Sequence, residues 1–289
     1  MKKSCSVLVV GAGYLGERVA RALAVAGKRA VATTRSPERL EALHSRGIEA
    51  ALLELSRVEA SEVWIERPAS IVYAVAPGAG GDAKLCFRHG VLAVARAWRQ
   101  EGGGPSPPRR RFVLISSTGV FARTDGAIVD ETTTPDPIEE RHRFIVEGET
   151  ALFELSRREG FQPVILRLGG LYGPGRSPIE WMRRPEMRER IARGSPNAFT
   201  NWIHVDDAVQ VVLLALDHPS VTGLYHIVDG TPVRREELFA HAAKLAGVAP
   251  LVFTGDAKDL GKRIVGDKAR SEIGFAPRFP STLAGPALS

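Results

Sequence analysis

The feature that most restricts this chain is Gly11-Ala12-Gly13-Tyr14-Leu15-Gly16, a Gly-x-Gly-x-x-Gly run wedged between two differently patterned segments. Before it, Val7-Leu8-Val9-Val10 reads as a buried strand. After it, Leu15, Val19, Leu23 and Ala26 fall on one helical stripe, with Gly27 placed to end the helix. In a strand-turn-helix of this kind the first glycine allows a tight turn and the second lets the backbone approach a ligand. The third permits close helix packing, and the helix N-terminus offers N–H donors to a pyrophosphate. A dinucleotide-binding turn is the expectation.

The same alternation continues. Strands are expected at 30–34, 48–53, 71–75, 112–115 and 164–166, each preceded by a helix-period segment, and Ser36-Pro37-Glu38 supplies a cap, a first-turn proline and an acid for the second helix. About six parallel strands then form a Rossmann-type doubly wound α/β sheet over residues 1–170. From 171 to 289 the texture changes. Residues 176–201 are rich in Arg, Pro and Gly. A helix is expected from Asp206-Asp207, which read as its caps, a short strand at 225–228, and a helix from Thr231-Pro232 to Ala246. This part is expected to be a smaller C-terminal α+β substrate cap, with some segments returning to the Rossmann core.

Composition removes several classes. With 44% hydrophobic and 25% charged residues the chain has the make-up of a globular protein. The apolar run 211–216 falls far short of the ~20 residues of a membrane-spanning helix, and the start, Lys2-Lys3 before Val7, reads as a strand rather than a leader. Two cysteines, Cys5 and Cys86, make neither a disulfide framework nor a zinc spacing, so no metal is expected and the compartment is expected to be the cytoplasm. The net charge of +6 is scattered. Its densest run, Arg109-Arg110-Arg111, follows a Gly/Pro loop and reads as a solvated tip, so nucleic acid is not an expected partner.

About 20 residues beyond the turn, where an acid would hydrogen-bond the ribose of NAD, stand Thr33-Thr34-Arg35-Ser36. A carboxylate repels a 2′-phosphate, whereas the Arg35 guanidinium can grip it with a planar fork. NADP(H) is therefore preferred, with NAD(H) the alternative.

Further motifs resemble those of the extended short-chain dehydrogenase/reductases, the NAD(P)-dependent epimerase/dehydratase family, and most closely its atypical YeeZ-like branch. They are Ser116-Ser117-Thr118-Gly119-Val120-Phe121, Asp130-Glu131, Arg167 to Gly175, Ile203-His204-Val205-Asp206-Asp207 and Tyr225-His226-Ile227-Val228-Asp229. The resemblance implies that Ser117 binds the reacting carbonyl or hydroxyl. With the glycine turn it places the cofactor against Gly11, Gly13, Tyr14, Leu15, Gly16, Thr34, Arg35, Ala74, Val75, Ala76, Ser116 and Gly169.

Four departures follow. The family's catalytic tyrosine, with a lysine four residues on to lower its pKa, has no counterpart: aligning Glu149-Thr150-Ala151-Leu152 puts Arg141 and Ile145 at those positions. Arginine stays protonated and is no base, so the neighbouring His142 is the candidate replacement, its alternative role being an exposed helix-start residue. Phe121 stands where tyrosine is usual. Thr200 occupies the place of an arginine that holds the diphosphate of nucleotide sugars, and Gly170 that of an asparagine. The expected function is NAD(P)-dependent oxidoreductase or epimerase chemistry on a small carbonyl- or hydroxyl-bearing, sugar-like molecule. The competing expectation is an NADP(H)-binding sensor without turnover. A homodimer is allowed.

Overall fold

The computed structural model describes residues 7–66, 68–78, 80–101, 111–218 and 220–283. In chain order these form β1 (Val7–Val10), α1 (Gly16–Val25), β2 (Ala30–Thr34), α2 (Pro37–Ser45), β3 (Ala50–Leu52), β4 (Ser70–Tyr73), α3 (Gly90–Glu101) and β5 (Arg111–Ser117). There follow β6 (Ile128–Val129), α4 (Glu140–Glu159), β7 (Gln162–Leu168), β8 (Gly170–Tyr172), α5 (Pro178–Met182), α6 (Pro185–Ala192) and β9 (Phe199–Thr200). The chain ends in β10 (Trp202–His204), α7 (Val205–Asp217), β11 (Gly223–Ile227), β12 (Val233–Arg234), α8 (Arg235–Ala246) and β13 (Arg263–Ile264).

One sheet of seven strands carries the fold in the order β3, β2, β1, β4, β5, β7, β11, with β1 pairing β2 and β4, β2 pairing β3 and β4 pairing β5 in parallel. This is a Rossmann-type doubly wound sheet. Its order reverses between β1 and β4, which makes the carboxyl ends of those strands the topological switch point where ligands bind. The segment around Tyr225, expected as a strand of the C-terminal part, joins this sheet as its seventh member.

Local chemistry explains the boundaries. The Oγ of Ser36 accepts the Arg39 N–H at 3.1 Å, Pro37 fits the first turn of α2, and Gly47 at φ 73° closes it while Ile48 N–H bonds Leu43 at 3.0 Å. That closure uses Ile48, so β3 is shorter than the apolar run suggests. Arg111 corrects an expectation: it opens β5, is fully buried and donates to the carbonyls of Val221 and His218, whereas Arg109 and Arg110 lie outside the described residues.

Contacts divide the chain into two units. The first comprises residues 1–116, 138–166 and 211–224, and its core packs Tyr73, Trp98, Phe112 and Phe161 among Leu, Ile and Val. The second comprises 117–137, 167–210 and 225–289, with a core of Met182, Val233, Leu238, Phe239 and neighbours. Three two-stranded ladders build it, β8 with β10, β9 with β12 and β6 with β13. Within 176–201, α5 opens on a capping box of Ser177 and Glu180 and α6 on Pro185.

Asp206 and Asp207 sit in the first turn of α7. The ring Nδ1 of His204 accepts the Asp206 N–H at 3.2 Å, while Asp207, fully buried, accepts the N–H groups of Arg278 and Phe279 at 3.0 Å each. It therefore anchors the C-terminal segment to α7. No helix among the described residues is long and apolar enough to cross a membrane.

Candidate functional site

The glycine turn begins where β1 stops. Gly11 adopts φ +95°, and a Cβ there would lie 2.9 Å from Val75 Cγ2 and 3.0 Å from the Ala74 carbonyl, so the turn is seated directly on the residues that follow β4. Gly16 would place a Cβ 2.0 Å from the Gly11 carbonyl. Gly13 differs from both. Nothing lies within 4 Å of its missing side chain, which leaves open space against the backbone. Leu15 precedes α1 without any side-chain cap, and the Glu17 N–H bonds the Gly13 carbonyl at 3.1 Å, so the helical turn begins at Gly13 itself with no side chain closing it. Open space before an uncapped, dipole-positive helix end fits the phosphates of a dinucleotide.

The turn is fixed by a residue that sequence reasoning passed over. Thr33, 2% exposed, accepts the Gly11 N–H on its hydroxyl at 3.2 Å and the Ala12 N–H on its carbonyl at 2.7 Å. Thr34, the residue singled out, turns its hydroxyl to the Ser36 N–H at 3.2 Å. Tyr14 lies under the Arg18 guanidinium, 4.1 Å from its ring centroid, and Arg18 donates to the Tyr14 carbonyl at 2.7 Å. After β4, Ala74 N–H bonds Val10 at 2.8 Å, holding the 74–76 segment beside β1.

Arg35 is exposed and sits close enough to Cys86 to act on its charge. Burial pushes the Cys86 thiol up, Asp82 adds to the rise, Arg35 opposes it and Glu54 adds further. Arg39, one helical turn on, donates to Glu17 and reaches the Ala12 carbonyl at 3.4 Å, while Arg46 donates to Glu17 at 2.8 Å. Burial works against the Glu17 charge, but Arg46 and Arg39 outweigh it and hold the carboxyl below its ordinary range. Two guanidinium groups, Arg35 and Arg39, thus flank the Ser36 cap beside the glycine turn.

At the end of β5, Ser116 donates to Glu149 at 2.5 Å, a carboxylate only 3% exposed on α4. Glu149 was legible only as part of a helical element, because its burial depends on which strand α4 covers. Ser117, the last residue of β5, accepts the Gly119 N–H at 3.0 Å and caps the short turn Thr118–Val120. A serine so held still has its own proton to donate. His142 is half-buried in the first turn of α4, Arg141 is exposed and pairs with Glu139 at 2.6 Å, and Ile145 is buried. Gly169 falls in the second unit, where its N–H bonds Ile227 at 3.0 Å and a Cβ would lie 2.8 Å from the Asn201 carbonyl.

Phe121 is buried with its ring edge-on to His226, centroids 5.4 Å apart, and the Arg167 guanidinium 5.2 Å from its centroid. Burial first, and then the Arg167 charge, lower the His226 pKa to about 4. Asp229, in contrast, is pushed up to about 6 by burial, against the Thr231 N–H and the N–H and hydroxyl of Thr282 that it accepts. Among the described residues, no three His, Cys, Asp or Glu side chains gather as a metal site.

A profile of the NAD dependent epimerase/dehydratase family matches residues 7–228. Protein YeeZ of Escherichia coli (strain K12) is 27% identical, with 99% of each chain covered. A functionally unknown conserved protein from Silicibacter pomeroyi is 26% identical with a TM-score of 0.77, covering 97% of this chain and 96% of that one. The UDP-glucose 4-epimerase of Thermus thermophilus, solved in complex with NAD, shares the fold at TM-score 0.77 and 21% identity, over 98% and 97% of the two chains.

Proposed function

Because the chain belongs to the NAD dependent epimerase/dehydratase family, we propose that it binds a nicotinamide dinucleotide at the turn Gly11 to Gly16 and acts on a small, sugar-like molecule bearing a carbonyl or hydroxyl group. The observation that carries this reading is the open space at Gly13 before the uncapped N-terminus of α1, in a turn that Thr33, Ala74 and Val75 hold in one shape. The T. thermophilus enzyme of the same fold holds NAD, which supports the class of cofactor. NADP(H) is preferred over NAD(H), since Arg35 stands where an acid would hold the ribose at the end of β2, and Arg39 of α2, paired with Glu17, lies beside the turn.

A bound nicotinamide supplies hydride acceptance and return. The chain's part is to position and polarise. Ser117, whose Oγ accepts the Gly119 N–H, donates a hydrogen bond to the substrate oxygen and so polarises it. Glu149 accepts the neighbouring Ser116 hydroxyl and keeps the end of β5 in register.

One observation favours a second reading. Where the family keeps its acid pair, Arg141 is exposed and salt-bridged and Ile145 is buried, which leaves α4 without a proton donor at those positions. An NADP(H)-binding sensor without turnover has the same cofactor site and needs no such donor.

Calorimetric titration with NADP⁺, NADPH, NAD⁺ and NADH, repeated on Arg35→Ala and Arg39→Ala, tests the cofactor. Tighter NADP(H) binding that falls to the NAD(H) level in these variants supports the assignment. Absence of binding for all four up to about 1 mM sinks it. Oxidation of NADPH by a panel of aldehydes, ketones and sugars then separates enzyme from sensor.

A further inference from the structure

We propose that Lys262 is a positioning residue: its ammonium, bonded to the Phe121 carbonyl, locks the turn on which Ser117 is mounted. The inference rests on Ser117 as the residue that binds the substrate oxygen, and every residue it uses belongs to the second unit.

The turn needs a lock. Ser117 opens it and Phe121 closes it, with Thr118–Val120 between them. Within the turn the Phe121 N–H bonds the Thr118 carbonyl at 3.3 Å and the Gly119 N–H bonds Ser117 Oγ at 3.0 Å. A lone tight turn with i to i+3 bonding is weak by itself. Its surroundings hold it at successive points. The Thr118 hydroxyl donates to the Leu168 carbonyl at 3.2 Å, the Asp136 N–H to that of Val120 at 3.2 Å, and Lys262 Nζ to that of Phe121 at 2.5 Å. The Phe121 ring is already packed on His226 and Arg167, so the Lys262 bond fixes the main chain of a residue whose side chain is fixed as well. Ser117 leads into the turn that ends there.

Lys262 starts from a rigid frame. Asn201 donates to its carbonyl at 2.9 Å and accepts the Ile264 N–H at 2.8 Å, while the Gly126 N–H bonds the Gly261 carbonyl and the Arg263 N–H the Ala127 carbonyl, both at 2.8 Å. From this frame the side chain runs half-buried to one carbonyl, and it makes no ion pair among the described residues. Burial lowers the pKa of its ammonium from the ordinary lysine range. Two carboxylates oppose that shift without touching the ammonium: Asp136, which pairs with Arg123 at 3.3 Å, and Asp259, which acts on Arg235 too. A partly desolvated charge is costly where a neutral side chain could fill the same space. What it provides in return is a charge-assisted bond, roughly twice as strong as a neutral one, at the point that sets the turn's shape.

The test compares wild type with Lys262→Met and Lys262→Arg. Amide exchange followed by NMR reads the turn without any substrate. Lys262→Met is expected to speed exchange at Gly119 and Phe121 at least about tenfold, and Lys262→Arg to restore it, with Leu8 and Val9 of β1 unchanged as the control against global unfolding. On a substrate from the NADPH panel, Lys262→Met is expected to lose kcat at least about tenfold at unchanged KM and unchanged NADPH affinity. Wild-type kcat is expected to fall on the alkaline side as the ammonium gives up its proton, and Lys262→Arg, which stays charged, to lack that limb. Unchanged exchange in Lys262→Met overturns the lock. Faster exchange with kcat unchanged, or an alkaline limb that persists in Lys262→Arg, leaves the bond a matter of stability alone and overturns the positioning role. If no member of the panel oxidises NADPH while exchange responds as stated, the enzyme reading falls and the lock on the turn stands.

Discussion

Gly16 shows how little room a single position leaves. Its would-be Cβ lies 2.0 Å from the Gly11 carbonyl, inside any real contact, so Gly16→Ala must push α1 away from the turn. Overpacking of this kind costs about 1–3 kcal/mol, and the same displacement spoils the N–H cradle. Urea unfolding should show the loss and calorimetry a dinucleotide affinity lowered at least about tenfold; native-like values for both would show that the turn does not need its third glycine. Ser117→Ala is expected to keep dinucleotide affinity and lose turnover by at least about tenfold, read on whichever substrate the NADPH panel identifies. Unchanged turnover would remove the serine from the chemistry. Two buried groups titrate in opposition. Unfolded His226 would bind a proton near pH 6.5 but the folded ring resists it to about 4, so acidification through that window destabilises the fold. Asp229 retains its proton up to about 6 in the folded state, against 3.8 ordinarily, so the same acidification favours folding. Each shift is worth about 3 kcal/mol, and they offset one another between pH 6 and 4. Denaturant titrations at pH 7 and 5 should therefore show Asp229→Asn losing stability more steeply in acid than wild type, and His226→Phe less steeply; parallel profiles for all three would show that neither group couples to folding.

Elements were legible where their signals were local. Ser36-Pro37-Glu38, Gly27, Gly47 and the turn at 11–16 act within one helical turn of themselves, and each appears where its spacing places it. Partners contributed by distant segments were not. Thr33 belongs to the turn because β2 lies beside β1, Glu149 is buried because α4 covers the end of β5, and Asp207 reaches residues 278 and 279 rather than its own helix. Nothing in a window of a few residues encodes those neighbours. Gly148 is of this second kind: on α4, a Cβ would lie 2.0 Å from the Phe87 carbonyl, which lets that helix approach the one-turn segment Leu85–His89 closely. Gly148→Ala is expected to destabilise by about 1–3 kcal/mol, despite alanine's better helix propensity; a gain of stability in chemical denaturation would mean that the approach is loose.

At the scale of the whole molecule, the sheet and its order follow from alternating apolar runs and helical stripes, whereas the apportioning of the chain follows from contacts that no run displays. Arg111 is the clearest instance. A charged residue beside a Gly/Pro loop reads as solvated, yet its guanidinium is buried against carbonyls of residues 218 and 221, in the segment that returns to the first unit. Arg111→Leu would leave those acceptors unsatisfied at about 1–3 kcal/mol each, and urea titration should detect it; a change below about 0.5 kcal/mol would place the side chain in solvent. The return of residues 211–224 to the first unit also bears on synthesis. Domains commonly fold as they leave the ribosome, the N-terminal one first, but here that unit stays incomplete until residue 224 has emerged. Half of the second unit's chain is then already outside, so the nascent protein holds unpaired strands of both units at once, and holdase chaperones have a long window in which to act on it.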